Sequence, residues 1–129
     1  MPAMDHIMNN TRSVGKPTLF QLAAKTFAET AACSALRQPV AGLRAGSLAR
    51  PIAFARQMAM YLAHTGFGLT LTEVGLCFQR DRTTVRYACA LIEDHRDGPP
   101  FDLGLAALET GLRELAISTG LLTSAETGR

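Results

Sequence analysis

Apolar residues along this chain recur at steps of three and four, and no stretch alternates with a period of two. From Thr18 to about Leu36 the residues Leu19, Leu22, Ala23, Phe27, Ala31 and Ala35 trace one helical stripe. Residues 37–48 hold Pro39, Gly42 and Gly46 and read as a linker. A second helix is predicted from about Ile52 to His64, with Ala55, Met58, Ala59 and Leu62 inward; Gly66 and Gly68 end it, with Phe67 between them as a core plug. Thr70 precedes Glu73 by three residues, a capping box, so a short helix is expected over about 71–78 with Leu71, Val74 and Phe78 inward. Gln79 and Arg80 interrupt the pattern. Asp81 is suited to cap the next helix, about 82–95, whose stripe is Val85, Ala88, Cys89 and Ile92. Gly98, Pro99 and Pro100 are expected to stop that helix. Asp102 can cap a last one, with Leu105, Leu108, Leu112 and Leu115 on one face and Gly120 as its stop.

Composition narrows this without changing it. Of 129 residues, 47% are hydrophobic and 19% charged, a globular balance; aromatics are 6% and Trp is absent, which favours helices packed through alanine and leucine. The three cysteines, Cys33, Cys77 and Cys89, are odd in number and lack C-x-x-C spacing, so neither a disulfide framework nor a zinc site is expected. His6, His64 and His95 lie far apart and suggest no metal set; His64, at a helix end, suits the dipole there. The longest stretch without Asp, Glu, Lys or Arg, Gln57 to Thr72, has 16 residues and is too short for a membrane span. The first residues hold no apolar core of a secretory signal, so a cytoplasmic, nucleoid-associated protein is expected. No acid pair, nucleophile–base set or phosphate loop is spaced for chemistry; neither catalysis nor a cofactor is expected. Net charge is +2, but residues 1–49 carry five basic and two acidic side chains, residues 50–96 six and four, and residues 97–129 two and five. An anion-binding face is therefore expected upstream of the acidic tail.

Two short helices joined by a tight turn form a helix-turn-helix, whose second helix can enter the DNA major groove. Here the first reads L-T-E-V-G-L-C-F, and Gly75 within it permits close helix approach. The second opens R-D-R-T-T-V-R. Arg82 can fork onto guanine, Asp81 can accept from cytosine, and Thr83 can bond a base or lie on a thymine methyl. Arg86 follows Arg82 one turn later on the same face. The bland alternative is a solvated helix face.

The blocks A-R-Q-M-A-M-Y-L (Ala55–Leu62), L-T-E-V-G (Leu71–Gly75), F-Q-R-D-R-T-T-V (Phe78–Val85) and the later Ala88, Cys89, Ile92 and Glu93 resemble the C-terminal DNA-binding domain of the bacterial replication initiator DnaA. The resemblance implies an all-α helix-turn-helix fold and binding of double-stranded DNA. It implies base contacts from Asp81, Arg82 and Thr83. Contacts to the DNA backbone are implied for Arg56, Gln57, Arg80 and Thr84, for the main chain about Leu71 and Thr72, and by position for Arg86. Arg44 and Arg50 are the candidates for the family's minor-groove arginine. Three departures stand out. The turn before the Arg-Asp pair is one residue shorter and holds Gln79 instead of two glycines. Arg82 replaces a histidine, and Leu91 stands where a lysine is frequent. A changed target sequence is expected from Arg82.

The resulting map is a loose N-terminus at 1–17, an N-terminal helix and linker at 18–48, the helix-turn-helix domain at 49–120 and a tail at 121–129. With no room for the initiator's ATPase module, the chain resembles stand-alone regulators of this type, including activators of gene transfer agent clusters. The leading expectation is a transcriptional regulator, an activator acting with RNA polymerase or a sigma-like factor. Residues 18–36 are apolar enough to need a partner: the domain itself, a second copy in a homodimer, or another protein. Two other roles stay open: a replication-control protein competing at initiator boxes, and a protein-interaction adaptor on the same fold.

Overall fold

A computed structural model describes residues 15–120. His6, the loose N-terminus up to residue 14 and the tail 121–129 lie outside the described residues. Among those described there are six helices and no strand: α1 (Leu19–Leu36), α2 (Val40–Arg44), α3 (Arg50–Thr65), α4 (Leu71–Phe78), α5 (Arg82–His95) and α6 (Pro99–Ser118). The all-α expectation is met.

α3 is the hub. Ala55, Met58, Ala59 and Leu62 are buried as predicted, and so are Met60, Tyr61 and Ala63, because helices cover it on several sides. α1 lies along one side, α4 and α5 along another, and α6 closes a third. Phe67 is buried in the turn after α3, stacked near Phe27 of α1.

α1 begins where its capping box places it: Thr18 accepts the Gln21 N–H at 3.1 Å, and the Gln21 side chain accepts the Thr18 N–H at 2.9 Å. Its buried face, however, is rotated from the predicted one, of which Phe27 and Ala31 pack against the core. Leu19 is 84% exposed, and Leu22 and Ala35 are also exposed, whereas Ala24, Ala28 and Ala32 are fully buried. These alanines repeat every four residues and let α1 close tightly on α3, with the bulkier Phe20 and Phe27 flanking the contact. The helix thus folds back on the domain, and its packing surface is used within the chain.

Two further expectations are corrected. The segment 37–48 is not all linker: Val40–Arg44 forms a short helix whose Leu43 packs with Cys33 of α1 and Ala55 of α3. Pro99 and Pro100 do not stand between two helices; they open α6, with Gly98 as its N-cap. Proline fits the first turn because the N–H it lacks would have no partner there. Asp102 lies inside that turn and pairs with Arg96 instead of capping.

That pairing belongs to a polar knot that fastens α6. The Arg96 guanidinium donates to Asp102, to the Tyr61 hydroxyl at 2.9 Å and to both Glu109 oxygens at 3.1 Å. Tyr61 in turn donates to Glu93. Burial and the bond to Glu93 push the Tyr61 phenol up to about 12, and the bond to Asp102 leads those that raise the Arg96 guanidinium above its ordinary value. All three cysteines are free; burial raises each thiol, that of Cys89 to about 11, so they stay protonated at neutral pH. No helix among the described residues is long and apolar enough to cross a membrane.

Candidate nucleic-acid interface

α4 and α5 have the expected bounds because their ends are set by local hydrogen bonds. Thr70 accepts the Glu73 N–H at 3.1 Å and the Glu73 carboxylate accepts the Thr70 N–H at 2.9 Å. Asp81 caps α5 through the Thr84 N–H at 2.7 Å. That bond, with the Thr84 hydroxyl and the Thr83 N–H, holds the Asp81 carboxyl below its ordinary range, so it is an anion at neutral pH.

Between these helices lies a turn of three residues. Gln79 closes α4 in the left-handed region, φ 57° and ψ 48°, and the Arg80 N–H returns to the Gly75 carbonyl at 2.9 Å. A Cβ on Gly75 would stand 2.5 Å from the Arg80 carbonyl oxygen. Glycine is therefore required by the closeness of the turn to α4, where the sequence had suggested close approach of the two helices. A non-glycine residue in the left-handed region costs about 1–2 kcal/mol. Gln79→Gly is accordingly expected to stabilise the domain by about 1 kcal/mol once glycine's greater freedom when unfolded is subtracted. Urea unfolding measures this directly; a lower midpoint would show that the Gln79 side chain holds the turn in some other way.

The turn aims the start of α5 outward. Asp81, Arg82, Thr83, Thr84 and Arg86 are all exposed, while Val85, Ala88 and Ile92 bury the opposite face against α3 and α4. Among the described residues no carboxylate pairs with Arg82 or Arg86. Thr72 is exposed and Leu71 half-buried at the N-terminus of α4, whose first N–H groups point away from the helix. The expected base-facing residues and the Thr72, Thr84 and Arg86 positions thus share one accessible end of the helix pair.

Other site residues are placed differently. Arg56 is only 7% exposed, and its Nη2 donates to the carbonyls of Leu43 at 3.1 Å and Ser47 at 3.0 Å. It holds the α2–α3 loop. Arg80 is half-buried, and its Nη1 folds back to the carbonyls of Phe78 at 3.1 Å and Gln79 at 3.3 Å. Gln57 is half-buried. Arg44 pairs with Glu29 at 3.4 Å, and Arg50 is exposed at the start of α3.

Arg44, Arg56 and Arg80 line one cleft of about 350 Å³ together with Lys25 and Glu29. Glu29 is 1% exposed, Lys25 reaches it at 2.9 Å, and the Lys25 ammonium also lies 5.5 Å from the centre of the Phe78 ring. Burial first, and then the nearby Arg80 charge, lower the Arg56 guanidinium below its ordinary range. Sequence reading missed Glu29 and Lys25. A lone carboxylate beside the alanine stripe, with a lysine four residues earlier, was the available signal.

This geometry can be set beside known proteins. Residues 30–92 match the family model described as the bacterial DnaA protein helix-turn-helix. The chromosomal replication initiator protein DnaA 2 of Chlamydia trachomatis serovar D is 43% identical over 51 residues, which cover 40% of this chain and 11% of that protein. The chain thus spans about a tenth of that relative's length in the match. No solved structure gives a significant match. The match takes in the end of α1, all of α2, α3 and α4 and most of α5, so the helix-turn-helix within residues 30–92 is of the bacterial DnaA type.

Proposed function

We propose that the chain is a sequence-specific regulator of transcription that inserts the N-terminal turn of α5 into the major groove of double-stranded DNA. The observation that carries this reading is the exposed set Asp81, Arg82, Thr83, Thr84 and Arg86 on a DnaA-type domain, with no carboxylate paired to either arginine among the described residues. Asp81, Arg82 and Thr83 face bases; Thr84 and Arg86, with the N-terminus of α4, face phosphates. Arg56 braces the α2–α3 loop behind them, Gln57 is half-buried beside it in sequence, and Arg44 and Arg50 are the cations of the α2–α3 region available to a minor groove. The protein works without catalysis or cofactor.

A net charge of +2 gives this face little non-specific grip, which favours a protein partner such as RNA polymerase or a sigma-like factor. Activation, of the kind exercised on gene transfer agent clusters, suits such a partnership. A second reading, occupancy of replication-initiator boxes, is favoured by the initiator relative, whereas Arg82 favours a different target through its fit to guanine.

Selection of bound duplexes from a random-sequence pool, followed by chromatin immunoprecipitation in the host, tests the proposal. A shared motif at promoters supports it; peaks confined to a replication origin support the second reading. Absence of any enriched sequence rejects both and leaves a protein-interaction adaptor. On the selected motif, Arg82→Ala is expected to cost about 1–3 kcal/mol and to relax preference at one base pair. Equal weakening on every sequence would place Arg82 on a phosphate instead.

A further inference from the structure

The segment Gly15–Pro17, which leads into α1, runs beside the helix-turn-helix. It forms one wall of a groove of about 660 Å³. Thr72, Gly75 and Leu76 of α4, Gln79 and Arg80 of the turn, and Arg82 of α5 complete the lining, together with Leu22 and Cys77. Three cations, Lys16, Arg80 and Arg82, border this groove, and no carboxylate lines it. Lys16 is exposed, and no carboxylate among the described residues pairs with it.

We propose that this groove seats a backbone phosphate of bound DNA and that Lys16 is an added DNA contact. The inference rests on the DNA-binding reading above and extends it to a residue outside the family match, which begins at residue 30. Its argument is position and charge. Thr72 and Arg82 flank the groove, and both belong to the exposed end of the helix pair, so a strand following that end passes Lys16. Like charges gathered at a concave surface raise the local potential, and a phosphodiester neutralises it. A lysine provides a compact charge on a long stem, suited to a phosphate rather than a base. Lys25 makes the contrast: it points to the neighbouring cleft, where Glu29 already holds it.

The test uses the full chain and the duplex recovered by selection, or a mixed-sequence duplex if no motif emerges. Lys16→Gln is compared with wild type, with Arg82→Ala and with Arg113→Gln, which removes the same charge from α6. The expected result is a several-fold weaker Kd for Lys16→Gln and a log Kd against log salt slope shallower by about 0.9, with sequence preference unchanged. Phosphate ethylation should identify one position whose modification weakens the wild type but not Lys16→Gln. If Lys16→Gln matches Arg113→Gln in slope and ethylation pattern while Arg82→Ala loses binding, the Lys16 contact is wrong and the DNA reading stands. A chain that binds no duplex overturns both.

Discussion

Gly75→Ala is expected to destabilise the domain by up to about 2 kcal/mol and to weaken DNA binding further than the lost stability explains. The methyl would sit 2.5 Å from the Arg80 carbonyl oxygen, and that oxygen is main chain, so no rotamer change relieves the clash. Overpacking of this kind costs about 1–3 kcal/mol. Exchanging glycine for alanine within a helix returns about 1 kcal/mol of propensity, which sets the net figure. The turn must shift to make room, and it carries Asp81, the cap that starts α5. Arg82 and Thr83 are thereby re-aimed, and loss of even one good base contact is worth about 1–3 kcal/mol. Urea unfolding and binding to the selected duplex, measured on folded protein, separate the two effects. A variant with unchanged stability and affinity would mean that the turn has slack which its geometry does not reveal.

The second large effect is expected at Arg96. Arg96→Met should cost about 2–3 kcal/mol, between the values for breaking a buried ion pair and an exposed one, because Arg96 is 18% exposed. Removing the guanidinium leaves Asp102, Glu109 and the Tyr61–Glu93 pair with no cation among them. Adding Glu109→Gln to Arg96→Met should recover part of the loss, a coupling read from a double-mutant cycle. The folded Arg96→Met protein should keep the wild-type salt slope and sequence preference, since this knot fastens α6 and lies outside the exposed end of α4 and α5. A changed base preference would instead link the knot to the orientation of α5.

These two sites differ in how far their residues betray them. Gly75, Thr70, Glu73 and Asp81 act through hydrogen bonds and close contacts within a few positions of the chain. The helix-turn-helix was therefore legible, with the bounds of α4 and α5 as expected. The buried face of α1 was not, because hydropathy ranks Leu19 and Leu22 above alanine, while close packing on α3 selects Ala24, Ala28 and Ala32 for their size. The burial of Arg56, a residue expected at the DNA backbone, was not legible because its acceptors, the carbonyls of Leu43 and Ser47, belong to a segment read as a linker. Arg96 and Glu109 are 13 residues apart and meet because Pro99 and Pro100, expected to follow the end of α5, also begin α6.

The alanine ladder of α1 also bears on how the protein is made. This helix leaves the ribosome before α3, yet a helix in a protein takes most of its stability from tertiary packing, and alanine side chains offer little surface for early collapse. α1 must wait for the chain to deliver α3, and α3 has its other sides covered only when α5 and α6 follow. A nascent chain stalled before α5 would hold its first helix and its hub without the element proposed to read DNA. Assembly of the scaffold and emergence of the reading helix are thus placed in order by synthesis itself, and the DNA-facing end is completed on a support already in position.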